Sequence, residues 1–219
     1  MLDLTPDALL TTTRTVRKRL DLTRTVSRAV IEECLGVALQ APNGGNMNVW
    51  RWIAVDDRAT IRELARLYNQ GLDDYIATFG KAGYPGAGVP GMEKITESTQ
   101  YLRDHFAEVP AVVVPLAAGR TDFPGANSFH QASVWGSVIQ SVWSFMLALR
   151  ARGLGSAWTT GHLWREQETA ELLGIPHKHY MQAGLFPVAY TLGTEFKPAW
   201  RKPVSEVLRW NCFDGKATA

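Results

Sequence analysis

Only two of the 219 residues are cysteines, Cys34 and Cys212, and they stand far apart in the chain. That scarcity excludes a dense disulfide framework and a thiolate zinc site, both of which need several closely spaced cysteines. His177-Lys178-His179 brings two imidazoles together. No Cys, Asp or Glu cluster joins them, and a metal asks for three or four ligands, so no metal site is expected. Net charge is also scarce, at +2. Recognition of a phosphate backbone or an anionic bilayer needs a concentrated basic face, so neither nucleic acid nor a membrane is an expected partner. The first residues lack a basic stretch followed by an apolar core, and with so few cysteines a reducing cytoplasm is the expected location.

Long apolar runs are missing too. The segment from Phe123 to Leu149 contains no Lys, Arg, Asp or Glu, yet polar residues from Asn127 to Ser144 interrupt it. A bilayer requires about 20 consecutive apolar residues, so a buried helix is expected here instead. Trp135, Val138, Val142, Phe145 and Leu149 fall on one helical stripe, and Ala132, Ile139, Trp143 and Met146 on the adjoining face. A helix apolar on two sides needs two partners. One is this chain's own sheet; a second copy of the helix would be the other, which predicts a homodimer.

Hydrophobic residues make up 46% of the chain, enough for one domain of this length, 1–219. The pattern predicts helices over Thr5 to Arg19, Ser27 to Gln40 and Ala59 to Gln70, then a variable helical region, the long helix, and a helix over Glu166 to Leu173. Strands are predicted over Arg51 to Asp56, Ala111 to Ala117, Ser156 to Thr160 and Leu185 to Leu192. Asp57 marks a helix start, and Gly174 followed by Pro176 a helix stop. The layout is α+β, a central sheet flanked by helices, with no internal repeat.

What the chain does carry is a basic opening. Arg14-Thr15-Val16-Arg17 offers planar guanidinium forks that match phosphate oxygens, with a hydroxyl donor between them. Taken alone, Arg14, Arg17, Lys18, Arg19 and Arg24 would favour a solvated basic helix, because charge runs usually face water. The helix ending at Gln40 then runs into Ala41-Pro42-Asn43-Gly44-Gly45-Asn46-Met47-Asn48-Val49-Trp50. A long apolar helix follows later, then Gly153-Leu154-Gly155-Ser156-Ala157-Trp158-Thr159-Thr160-Gly161, then Phe186 to Gly193, then Arg201-Lys202-Pro203.

In order and spacing these segments resemble the nitroreductase family of FMN enzymes, over all of the chain except about 71–104. Thr13, Asn43 and Asn48-Val49 depart from the family's usual residues. The resemblance implies a nitroreductase-like fold with a mostly antiparallel sheet and the long helix at a dimer interface. It implies that Arg14, Thr15 and Arg201 hold the FMN phosphate and ribityl chain. Arg17 would reach the N1/C2 edge of the flavin ring, a catalytic role because negative charge collects there. Backbone N–H groups at Thr160 and Gly161 would face N5 and O4. Pro42, Asn43, Gly44 and Asn46 would come from the partner subunit, and Asn69 or Gln70 would touch the pyrimidine ring.

The implied activity is ping-pong reduction of a nitroaromatic or quinone-like acceptor by NADH or NADPH. A flavin-binding relative without turnover, or a dehalogenating, oxidase or flavin-destroying member, stands as the alternative. Gly86-Ala87-Gly88-Val89-Pro90-Gly91 matches the dinucleotide fingerprint, but no strand precedes it and Pro90 falls inside it, so a loop is expected, with about 71–104 as a lid or, with about equal weight, a surface excursion without function. The aromatic residues Tyr68, Tyr75, Phe79 and Tyr84 of that stretch are read first as packing, and second as a platform for an aromatic acceptor.

Overall fold

The strand β2 (Ala111–Ala118) is apolar along nearly its whole length and buried on both faces. Continuous apolar runs of that kind belong to the middle of a sheet. In the computed structural model, which describes residues 1–80 and 91–213, β2 pairs antiparallel on one side with β1 (Trp50–Val55). On its other side it divides its length between two shorter strands. Residues 111–113 pair with β5 (Phe186–Tyr190) and residues 116–118 with β4 (Tyr180–Gln182). Pro115 falls between the two partners, where its missing N–H costs no ladder bond, and its carbonyl accepts from Ala183 N at 2.8 Å. The strand β3 (Leu154–Ser156) pairs antiparallel with β5 and completes the sheet.

Alternation along β2 sends successive side chains to opposite faces. Ala111, Val113 and Ala117 pack with α2 (Arg28–Ala38) and α5 (Ser128–Ala151), where Val138, Val142, Phe145 and Leu149 are fully buried. Val112, Val114 and Leu116 face a second core built from Ile61, Leu64 and Tyr68 of α3 (Arg58–Phe79), with Leu102 of α4 (Met92–His105), Phe106 and Leu185. Each such side chain contributes about 1.5–3 kcal/mol. Ser141 settles the seam between α5 and α2 by donating its hydroxyl proton to Ala38 O at 2.9 Å.

The expected helix starts hold. Ser27 Oγ accepts from Val30 N, and Asp57 accepts from Thr60 N at 2.8 Å. The helix α6 (Glu166–Leu173) has the predicted bounds and stops at Gly174 in the left-handed region, φ 65°. Three elements differ. The helix α1 (Pro6–Thr12) is far shorter than Thr5 to Arg19. Its last turn is a β-branched run, Thr11-Thr12-Thr13, whose hydroxyls bond to carbonyls four residues back. Beyond it the chain lies against the sheet, with Val16 N donating to Ser156 O and Asp21 N to Tyr190 O, each at 2.8 Å. The helix α3 continues past Gln70 to Phe79. The strand expected over Ser156 to Thr160 lies instead at Leu154–Ser156, and beyond it Thr159 makes an isolated bridge to Leu185.

The helix α5 is long and apolar enough to cross a membrane by length and composition, alone among the described residues. Here its C-terminal half fills the core between α2 and the sheet. Phe129 at 72% and Ile139 at 44% exposure lie on a face of α5 that the chain leaves open. The short helix α7 (Val204–Val207) belongs to a tail whose Trp200, Val204, Val207 and Trp210 are all exposed.

Candidate functional site

The extended segment after α1 becomes a binding wall because glycine lets it lie close to the sheet. A Cβ on Gly155 would come within 2.8 Å of Thr191 Cγ2 and 2.9 Å of Val16 Cγ2. With Val16 turned inward and buried, its neighbours Arg14, Thr15, Arg17, Lys18 and Arg19 line an open cleft of about 440 Å³. Ser98 of α4 and Glu195, Phe196 and Lys197 form its other wall. Arg14 Nη1 donates to Lys197 O at 2.5 Å, and Arg19 donates to Leu192 O at 2.9 Å and Glu195 O at 2.7 Å. Neutral carbonyls hold a guanidinium in place without cancelling its charge. The electrostatics therefore suit an anionic ligand group. Lys18 is paired there with Glu97 at 2.6 Å.

The helix α4 closes over this wall. Arg17 Nη1 donates to Ser98 Oγ at 3.3 Å, beside the Lys18–Glu97 pair. Behind Arg14 lie two buried groups with unused polar atoms, Arg150 and Ser156. Surplus cationic donors on and behind an open cleft fit a phosphate monoester, and so they fit FMN.

Gly161 is needed for its small size. Its φ is not in the left-handed region; its size matters because a Cβ would come 2.8 Å from Leu72 Cγ and 3.0 Å from Tyr68 Cδ2. The helix α3 therefore packs directly on the 3₁₀ turn Gly161–Arg165. Thr160 is exposed beside it. His162 in that turn is fully buried, and burial pushes its pKa down to about 4 against the opposing pull of Glu166 and Gln182. Next in the chain, Glu166 receives Arg120 Nη2 at 2.9 Å, Gln182 N at 3.1 Å and a contact with His177 Nε2 at 3.1 Å. Burial works against its charge, but Arg120 and Gln182 N hold the carboxyl below its usual range.

Not every expected site residue meets the cleft. Arg14, Thr15 and Arg17 do. Pro42, Asn43, Gly44 and Asn46 do not line it. Their loop packs on α5, where Gly44 N donates to Ser137 Oγ at 3.0 Å and Asn43 Oδ1 accepts from Asn48 N at 2.8 Å. Gln70 turns to Arg66, 2.7 Å away, and Asn69 donates to Arg103 O at 3.1 Å. Arg201 is exposed and bonds to Trp200 O at 2.8 Å. Lys18, Arg19, Lys197, Ser98 and Arg150 were not singled out for the site from sequence. Lys18 and Arg19 stood in the visible basic run, but Ser98, Arg150 and Lys197 reach the site through contacts more than 80 residues away that no local pattern records.

Of the aromatic residues in the excursion, Tyr68 is core against Phe106, centroids 5.0 Å apart, and Tyr75 and Phe79 pack with Trp164. Tyr84 and most of the Gly86–Gly91 motif lie outside the described residues. Burial raises the Cys34 thiol to about 11.

The nitroreductase family profile matches residues 10–190. The chain belongs to the nitroreductase family. It is 26% identical over 196 residues to an NADH dehydrogenase of Thermus thermophilus, covering 84% of this chain and 86% of that protein. Among solved structures, iodotyrosine deiodinase bound to FMN and 3-iodo-L-tyrosine superposes with a TM-score of 0.69 at 21% identity, over 92% of this chain and 96% of the other. An FMN- and NADPH-dependent nitroreductase from Sphingopyxis sp. strain HMH gives 0.67 at 20% identity, over 96% and 100%. At these identities the structures establish the shared α+β fold, with a sheet that is antiparallel throughout its described pairings.

Proposed function

We propose that the protein is an FMN-dependent oxidoreductase that uses NADH or NADPH to reduce nitroaromatic or quinone-like acceptors in a ping-pong cycle. The observation that carries this reading is the cleft at Arg14, Thr15 and Arg17. It gathers cations held by neutral carbonyls on a nitroreductase fold, where a phosphorylated cofactor would find donors already in position. FMN supplies, when bound, the two-electron chemistry by which a donor and an acceptor exchange a hydride equivalent at one face in turn.

The residues of this chain bind and bias. Arg14 and Thr15 hold the phosphate end, joined by Arg201 of the exposed tail. Arg17, whose guanidinium is oriented by Ser98, places positive charge at the N1/C2 edge and favours the reduced cofactor. Thr160 and Gly161 present backbone N–H groups to N5 and O4. The loop of Pro42, Asn43, Gly44 and Asn46 lies apart from the cleft in its own chain, which supports the reading that it serves the site of a second copy. The open face of α5 and the exposed apolar tail favour the same homodimer, since each is costly to leave in water. Gln70 remains the candidate for the pyrimidine ring through a side-chain turn away from Arg66. The helix α4 serves as the lid, and the cytoplasm supplies the nicotinamide donor.

The test is anaerobic spectroscopy of the purified protein. A yellow preparation should show flavin bands, be bleached by NADPH or NADH, and recover its colour on addition of a quinone or nitroaromatic. Flavin bands that neither donor bleaches would favour a flavin-binding relative without turnover; a colourless protein that takes up no FMN would end the reading.

A further inference from the structure

Arg150, in the last turn of α5, is 5% exposed, and its charge is poorly compensated. Its Nη2 donates to Thr12 Oγ1 at 3.5 Å, the limit of a hydrogen bond, while Nε and Nη1 are buried without a partner. Ser156 Oγ, also buried, has no partner either. Both side chains line a small cavity of about 10 Å³ together with Thr12, Thr13, Arg14 and Phe196. That is room for one oxygen-sized atom.

Arg14 and Phe196 line the open cleft as well, so the cavity lies directly behind it. The Phe196 ring forms the partition, with Arg19 Cζ 4.1 Å from its centroid and Arg150 Cζ 4.9 Å. Glu195 acts on Arg150 only through space, and Arg19 opposes it. A buried guanidinium with two idle donors and no bonded carboxylate is strongly disfavoured unless an anion arrives. A single trapped water would satisfy a donor and leave the charge. A phosphoryl oxygen satisfies both.

We propose that Arg150 is the buried floor of the phosphate site, one of its idle donors reaching a phosphoryl oxygen of the FMN that Arg14 holds at the mouth, with Ser156 Oγ donating to the same atom. This rests on the FMN reading above. It also explains an arginine rather than a lysine in that turn, since a guanidinium keeps its charge when buried, where an ammonium gives it up readily.

The experiment titrates apoprotein with FMN and with riboflavin, which lacks the phosphate, following quenching of flavin fluorescence. Wild type should prefer FMN. Arg150→Met should weaken FMN at least about tenfold, the scale of a lost charge-assisted contact, and leave riboflavin within about twofold. Arg150→Lys should fall between, and decides the matter if Arg150→Met does not fold. Equal losses for both ligands, or an unchanged FMN-to-riboflavin ratio in Arg150→Lys, would overturn the assignment and leave Arg150 a packing residue. A wild type that binds both flavins alike would instead sink the phosphate reading of the whole cleft, and this proposal with it.

Discussion

A Cβ on Gly71 would occupy the space of the Gly161 carbonyl oxygen, so α3 and the 3₁₀ turn beyond β3 meet at two glycines. Backbone cannot yield as a flexible side chain does. Gly71→Ala should therefore destabilise the fold by about 1–3 kcal/mol, the cost of forcing atoms into a packed contact. Gly36, on the exposed side of α2 with nothing within 4 Å of its Cβ position, supplies the control. Gly36→Ala should be neutral or stabilising by up to about 1 kcal/mol. Chemical denaturation of both variants tests the pair; equal behaviour would mean the close approach is absent in solution.

The two arginines flanking Val16 are expected to fail in different ways. Arg14→Ala removes a cation at the phosphate end and should weaken FMN by about 1.5–3 kcal/mol, read by equilibrium dialysis. Arg17→Ala should retain FMN better but make the flavin potential more negative and slow its reduction by NADPH, because the lost charge acts on the ring. A potential unchanged from wild type would remove Arg17 from its catalytic role. Comparing Arg201→Ala with these two measures whether the exposed tail reaches the cleft: FMN affinity equal to wild type would exclude it from the phosphate site.

Much of this architecture is readable from local pattern. The apolar run Ala111 to Ala118, the capped start at Asp57 and the glycine stop at Gly174 are encoded within a few residues, and each appears where its physics puts it. The basic segment was legible as chemistry but not as conformation. Its apolar spacing fits a helix, yet Val16 and Leu20 are buried against Ala189 in an extended path that long-range pairing with β3 and β5 imposes. Arg150 was not legible at all. On a helix read for its apolar stripe, one arginine near the end looks like a solvated terminus, and only the packing of Thr12, Ser156 and Phe196 around it shows that it is inside.

His162 gives the stability a signature in acid. Its pKa in the folded chain, about 4, lies below the ordinary value of 6.5, because burial disfavours the charged ring. Above about pH 6.5 the ring is neutral folded or unfolded, and it adds no pH dependence. As pH falls from 6.5 toward 4 the unfolded chain takes up a proton that the folded one refuses, so stability drops by up to about 1.4 kcal/mol per unit. Below 4 the slope ends. His162→Leu should flatten urea-denaturation stability across that window whatever its absolute value; an unaltered slope would mean that another group carries the acid sensitivity.

The exposed face of α5, rather than its buried stripe, is the place to test subunit association. Val142 belongs to the sequence-level stripe, but it is fully buried in the core of its own chain, so Val142→Asp should unfold the subunit and report nothing about a dimer. Ile139, three residues earlier and 44% exposed, lies on the open face of α5. A carboxylate there costs little in a monomer, where water reaches it, and several kcal/mol in an apolar interface, where it has no partner. Ile139→Asp should thus keep its helical circular dichroism and thermal transition while sedimenting as a monomer. If the loop at Asn43 to Asn46 serves the flavin of a second copy, FMN and activity should be lost together with the dimer. Sedimentation followed at the flavin absorbance measures both at once. An Ile139→Asp variant that sediments as a monomer yet stays yellow and active would refute the shared site, and one that remains dimeric would place the interface elsewhere on the chain.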